Sequence, residues 1–266
     1  MNSGFRVFLA AFGTLGLSWC GFVLAPVLQL GVARQTTVLN SSEIYPLQRP
    51  GDAALGLQVY RANGCAACHT EQVRQNGVVC DVVLTSAGKK NPAAVTNLLS
   101  NLQTTGLAKD EADAVSGQIS AVGGSVETHI VPVGVDIARG WGVRRSVAED
   151  YLYDYPVQLG SLRAGPDLAN AGARLTDANW QLVHLYAPQT AVKNSAMPPF
   201  RFLFQVRKIS GAPSPDALQF PKEFAPPVGW EVVPTPEAKQ LAAYLLSLKA
   251  DAPLYDAPFT PVTTKP

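Results

Sequence analysis

Charge is scarce in this chain. Asp, Glu, Lys and Arg make up 15% of its 266 residues, where ordinary soluble domains carry about 25%, and 47% of the residues are hydrophobic. Part of the chain is therefore expected to meet something other than water. The net charge is only +1 and Lys and Arg form no blocks, which removes the long-range reason to favour polyanions such as nucleic acids. Cysteine is limited to four residues, too few for a disulfide miniprotein of this length. Methionine is scarcer still: apart from Met1 there is only Met197. Glycine and proline together make up about a sixth of the chain, below a disordered composition but enough for several stiffened connections.

The missing charge is concentrated at one end. From Val7 to Ala33 no residue is charged, and Arg6 and Arg34 bound the run. At about 1.5 Å per residue it is long enough to cross a hydrocarbon core of about 30 Å, and Pro26 is a place for a kink. The competing reading is a signal peptide cleaved after Gly31-Val32-Ala33, but the apolar stretch exceeds a usual signal core. Cys20 follows bulky Trp19, a poor lipoprotein signal, and is read as an inert thiol within the span. Arg6 on one side and Arg34 and Arg49 on the other balance too evenly to set orientation.

Cys65-Ala66-Ala67-Cys68-His69 is C-x-x-C-H, the attachment signature of a c-type haem. Two thiols add to the two vinyl groups of one porphyrin, and the adjoining imidazole becomes the proximal iron ligand. A thioredoxin-like redox pair is the alternative, disfavoured by the adjacent His69 and by the absence of a flanking βαβ pattern. Met197, held between Ser195-Ala196 and Pro198-Pro199-Phe200, is the expected distal ligand, because two prolines keep its thioether on an extended loop. His69 and Met197 together saturate the iron, which suits electron transfer rather than oxygen binding. His184 competes with Met197 as sixth ligand or is a helix-face histidine beside the crevice. His129 is expected to be exposed and Cys80 to have no disulfide partner. Apolar spacing predicts a helix over Ala54–Asn63, with Leu55, Val59 and Ala62 on one stripe. Thr235-Pro236-Glu237 opens another, whose apolar face is Leu241, Leu245 and Leu248.

Gly165-Pro166-Asp167-Leu168 with Gly172-Ala173-Arg174 resembles the segment of small soluble cytochromes c that supports the proximal histidine. The resemblance implies that the Pro166 carbonyl orients His69, that Arg174 lies near a haem propionate, and that the first and last helices cross with Gly56 and Tyr60 against Tyr244. At larger scale the chain resembles subunit II of cbb3-type cytochrome c oxidase, the membrane-anchored monohaem FixO family. That resemblance rests on Val59-Tyr60, on Gly64 through Arg74, on Asp136-Ile137-Ala138-Arg139-Gly140-Trp141-Gly142 and on Ser146 through Tyr151. Gln158-Leu159-Gly160-Ser161 through Arg174, and Met197-Pro198-Pro199-Phe200, complete it. It implies one covalently bound haem c, a haem domain facing outward, and partners in the haem-copper catalytic subunit and other cytochrome subunits. It implies no oxygen chemistry in this chain.

The departure from that family is an insertion between Arg74 and Asp136. Val79–Leu84 reads as a strand, Pro92–Leu102 and Lys109–Val122 as helices, and Ser125–Val131 as a returning strand. Asp81-Val82-Val83-Leu84, Ala87-Gly88, Ala94-Val95 and Gly123-Gly124-Ser125-Val126-Glu127 are weakly similar to the C-terminal domain of the bacterial ribosomal stalk protein, a likeness of shape alone. The piece is a docking or spacer module, or equally a neutral loop addition. Trp141, Arg139, Arg144 and Arg145 either seat the domain on a partner or form a salt-bridged surface.

The expected class is mainly α. A transmembrane anchor (1–34) precedes a cytochrome c-like domain (35–74 and 136–250), interrupted by a β-α-α-β module (75–135) and followed by a proline-rich tail (251–266), either strap or loose end. Haem attachment needs an oxidising exterior, which places the haem domain in the periplasm and the single span in the bacterial inner membrane. Two other functions fit the motifs: a haem c subunit of another membrane reductase such as nitric oxide reductase, and a haem-based sensor or ligand-binding protein with the insertion as output module.

Overall fold

A computed structural model of the chain describes residues 3–30, 34–49 and 51–254. The proposed cleavage site at Gly31–Ala33 and tail residues 255–266 lie outside them. Helix α1 (Ser3–Trp19) runs through a π-helical turn at Cys20–Leu24 into α2 (Ala25–Leu30). The widened turn ends two residues before Pro26, which has no N–H to donate and crowds the preceding turn. Over Ser3–Leu28 the mean hydropathy reaches 1.9 and the strongest window buries nothing against the rest of the protein. A helix that is apolar all round and packs against no protein fits a single-pass membrane anchor.

Beyond a two-residue pairing of β1 (Thr36–Thr37) with β2 (Ile44–Tyr45), α3 (Gly51–Ala62) leads into the C-x-x-C-H segment. At the far end α10 (Pro236–Ser247) starts where Thr235 caps the Ala238 N–H and Pro236 occupies the first turn. The two helices cross at Gly56. An added Cβ there would lie 1.9 Å from the Gln240 carbonyl oxygen and 2.7 Å from the Tyr244 Cβ. One turn on, the Tyr60 and Tyr244 rings pack at 5.1 Å.

This crossing corrects one sequence expectation. The inward face of α3 is Ala53, Gly56, Leu57 and Tyr60, while Leu55 is 52% exposed and Ala62 is also exposed. Only the face carrying Gly56 lets a backbone come that close, so it turns inward and the more apolar Leu55 turns out. Leu241, Leu245 and Leu248 of the expected α10 stripe are buried, in one cluster with Leu57, Tyr60, Val183, Leu185 and Leu203. Short helices α6 (Val135–Ala138), α7 (Ala171–Arg174), α8 (Ala178–Tyr186) and α9 (Pro188–Ala191), and a hairpin of β5 (Phe204–Lys208) with β6 (Trp230–Pro234), complete this part.

Between Asn76 and Gly134 the chain makes a closed excursion. β3 (Gly77–Ser86) and β4 (Ser125–Val133) pair antiparallel, and Gly77 faces Val133, so the excursion leaves and returns at neighbouring points. Helices α4 (Pro92–Asn101) and α5 (Lys109–Ala121) follow β3. Cys80, Val82, Val95, Leu107, Ala112, Val115 and Ile119 form a buried cluster separate from the one under α10. The start of the C-terminal segment is tied down: Leu254 is 1% exposed, and the Pro253 carbonyl accepts from the Leu39 N–H at 2.9 Å.

Candidate haem site

A left-handed Gly64 turns the end of α3 into a 3-10 turn at Cys65–Ala67, closed by the His69 N–H on the Cys65 carbonyl at 3.0 Å. The turn delivers Cys65 and His69 to one cavity, whose other walls include Pro166, Arg174, Trp180, His184, Met197 and Leu241. Cys68 is exposed, and Cys65 is partly buried with its thiol pushed up to about 11 by burial. His69 Nδ1 lies 2.8 Å from the Pro166 carbonyl oxygen. A carbonyl only accepts, so Nδ1 carries the proton and donates, leaving the Nε2 lone pair free. Gly165 makes the approach possible, since a Cβ there would stand 2.2 Å from His69 Cε1.

Two further side chains bring unpaired atoms to this cavity. Arg174 donates through Nη2 to the Asp167 carbonyl at 2.8 Å, while its Nε is buried without a partner; burial lowers its pKa. His184 stacks on Trp180 at 4.9 Å between ring centroids and leaves Nδ1 buried and unpaired. Burial, and then the neighbouring His69, lower its pKa.

Charges that the sequence reading left unassigned hold the motif from behind. Arg163 grips both Asp136 oxygens through Nη1 at 2.6 and 2.8 Å and donates through Nε to Thr70 Oγ1 and through Nη2 to the Gln72 carbonyl. Asp167, fully buried, accepts from Thr70 Oγ1 at 2.6 Å and from the Gln72 N–H at 2.8 Å. These bonds tie the residues after His69 to the Pro166 segment. Arg163 and Asp167 lie four residues apart but outside any helix, so their spacing gives no sequence signal of this contact. Tyr244 donates to both oxygens of Glu71, at 3.0 Å each. Glu71 is 2% exposed, and burial pushes its carboxyl up to about 8, with Asp154 adding and Tyr244 and Arg49 opposing.

A larger cavity of about 650 Å³ lies beside Glu71, Tyr45, Arg49 and Asp154, but it is lined by none of the cysteines, histidines or methionines of the motif. Of the two, the other cavity gathers the expected donor residues Cys65, His69 and Met197.

Arg144 is not a partner-seating surface residue. It is 9% exposed, grips Asp150 with both terminal nitrogens at 3.0 and 2.8 Å and stacks over Tyr45. Arg139 packs its guanidinium over Trp141, Arg145 is exposed, and His129 is exposed beside Glu127. Cys80 is buried and unpaired.

Residues 128–227 match the family described as cytochrome c oxidase, mono-heme subunit/FixO. That stretch is similar to the FixO family. The matched stretch contains Pro166, Arg174, His184 and Met197; it begins within β4, the last strand of the excursion, and does not include Cys65–His69. The FixO family is a mono-heme cytochrome c subunit of oxidases, which supports haem as the cofactor and implies partner subunits. No curated protein matches the chain.

Proposed function

We propose that this chain is a FixO-type, membrane-anchored monohaem c-type cytochrome that relays electrons to the haem-copper catalytic subunit of a cbb3-type terminal oxidase. The observation that carries the reading is the hydrogen bond from His69 Nδ1 to the Pro166 carbonyl at 2.8 Å, in a cavity that also receives Cys65 and Met197. A haem bound there supplies a one-electron redox centre. The residues present suit it: Cys65 and Cys68 would attach it, His69 and Met197 would ligate its iron, and the unpaired Arg174 Nε would meet an anionic propionate.

Each of these residues has a defined task. Pro166 fixes the imidazole tautomer and ring plane, so His69 offers Nε2 in one orientation. Leu168, Leu175, Leu241 and Leu245 line the cavity with apolar surface and limit water, which raises the energy of the more highly charged oxidised form. The Arg163–Asp136–Asp167 bonds hold the loop after His69 against the Pro166 loop, so little reorganisation accompanies a change of charge. Haem attachment to thiols requires the exterior side, so the domain lies in the periplasm with the apolar N-terminal helix in the inner membrane.

The test is to express the full-length chain with a haem c maturation system and treat the reduced protein with carbon monoxide. With His69 and Met197 both holding the iron, the reduced protein would leave its spectrum unchanged. Stoichiometric carbon monoxide binding would contradict the relay and favour the sensor reading. Co-purification with a b-haem, copper-containing core separates the cbb3 partner from a nitric oxide reductase, whose core holds no copper.

A further inference from the structure

The inserted sheet has one closed edge and one open edge. On the closed edge, the Cys80 N–H donates to the Leu107 carbonyl at 2.8 Å and the Cys80 carbonyl accepts from the Leu107 N–H at 2.9 Å, while the Val82 N–H donates to the Thr104 carbonyl at 2.7 Å. Cys80 and Val82 therefore turn backbone groups away from β4. In an antiparallel ladder such residues belong to non-hydrogen-bonded pairs, and their cross-strand partners also point outward. Those partners are Ile130 and Thr128, and by alternation Val126 belongs with them. Among the described residues, no backbone group outside the β3–β4 ladder pairs with these three. Thr128 is exposed, and Ile130 is 39% exposed on the helix-bearing side of the sheet. At the far end Pro132 has no N–H to offer.

The open edge is self-complementary in one register. With a two-fold axis at Thr128, Val126 faces Ile130 of a second copy, Thr128 faces Thr128, and Ile130 faces Val126. All three are positions whose N–H and C=O point outward, so each pair gains two backbone hydrogen bonds. On the opposite face of the sheet, the same register sets Glu127 against His129 of the second copy, both exposed and already 3.6 Å apart within one chain. Moving the axis to His129 would still pair outward groups, but it would set His129 against His129 and Val126 against Pro132, which has no N–H to give. Charge and the missing Pro132 N–H thus select the Thr128 register, and an edge this open pairs readily.

We propose that β4 is a self-association edge, through which two copies of this chain pair antiparallel about Thr128 into one four-stranded sheet. The proposal is independent of the haem reading.

The test uses the full-length chain in detergent, with mass measured by light scattering across a concentration series. The wild type should pass reversibly from monomer to dimer. Thr128→Pro removes an outward N–H without touching the ladder to β3, and should raise the dimer dissociation constant about tenfold or more, since the two symmetry-related bonds are lost together. Glu127→Lys sets cations against His129 and should also weaken the dimer, and the exchange Glu127→His with His129→Glu should restore it. Thr128→Cys places paired Cα atoms about 5.5 Å apart, within disulfide range, and should cross-link, whereas Val83→Cys on the inner strand should not. Cys20, Cys65, Cys68 and Cys80 are common to both and serve as the background. A wild type that stays monomeric throughout overturns the proposal. So does equal cross-linking at 128 and 83, or protection of the Thr128 and Ile130 amides from exchange only when other oxidase subunits are present.

Discussion

Replacing Gly56 with alanine adds one methyl group and should cost more than most core truncations. The new Cβ would sit 1.9 Å from the Gln240 carbonyl oxygen and 2.6 Å from its carbon, and neither atom can rotate away. An ordinary contact requires α3 and α10 to part by about 1.5 Å, and a radial gap of 0.5–1 Å already forfeits a quarter to a half of each dispersion contact. Overpacking costs about 1–3 kcal/mol, and the upper end applies because the obstacle is backbone. Disturbing the Tyr60–Tyr244 pair adds about 1 kcal/mol, and the better helix propensity of alanine returns about 1 kcal/mol. The expected net loss is about 3 kcal/mol. Urea unfolding of the haem-loaded chain in detergent, followed by tryptophan fluorescence, measures it. Leu55→Ala, on the exposed face of the same helix, is the control and should stay within about 0.5 kcal/mol of wild type. A Gly56→Ala protein within about 1 kcal/mol of wild type would show that the helices do not meet there.

Four further outcomes follow from the same contacts. Arg163→Ala leaves Asp136 and Asp167 buried without their cation and should cost about 3–5 kcal/mol; Arg163→Lys, lacking the planar fork, should recover less than half. Gly165→Ala drives a Cβ into the His69 ring, so the ferric protein should gain a high-spin fraction by electron paramagnetic resonance; an unchanged spectrum refutes the contact. Glu231 accepts from Arg207 Nε at 2.8 Å and from the Ser214 N–H at 2.7 Å, and these bonds lower its pKa. Its contribution is complete above the unfolded value near 4.5 and is lost as pH falls through the folded value. Glu231→Gln should therefore flatten the fall of the melting temperature below pH 5, and parallel curves would refute the linkage. Met197→Ala should lower the reduction potential and admit carbon monoxide, because the weak sulfur acceptor is gone.

What could be read without coordinates was local chemistry. C-x-x-C-H carries its own ligand geometry within five residues, and Thr235-Pro236 marks a helix start by cap chemistry that needs no tertiary partner. Strands at Val79–Leu84 and Ser125–Val131 follow from β-branched runs between turn residues; the structure extends them to Gly77–Ser86 and Ser125–Val133. What could not be read depended on distant neighbours. The inward face of α3 is chosen by the approach of the Gln240 backbone, which no periodicity within α3 contains. Arg144 looks like a surface charge until Tyr45 and Asp150, from separate segments, close around it. The Arg163–Asp136–Asp167 cluster joins α6, the Pro166 loop and the segment after His69, a combination no single stretch of sequence contains. The β5–β6 hairpin is not legible in the sequence, because proline-rich residues 209–229 separate its strands. Why β4 leaves an edge open follows from the direction of the Cys80 and Val82 backbone groups, a property that side-chain identity does not encode.

The proposed electron relay requires that His69 and Met197 together saturate a haem iron attached at Cys65 and Cys68. Its most direct test is the weak far-red sulfur-to-iron charge-transfer band of the ferric full-length protein, recorded for wild type, Met197→Ala and His184→Ala. The band should be present in wild type, absent in Met197→Ala and retained in His184→Ala. A wild type without the band, or a band that survives loss of Met197, would contradict the account.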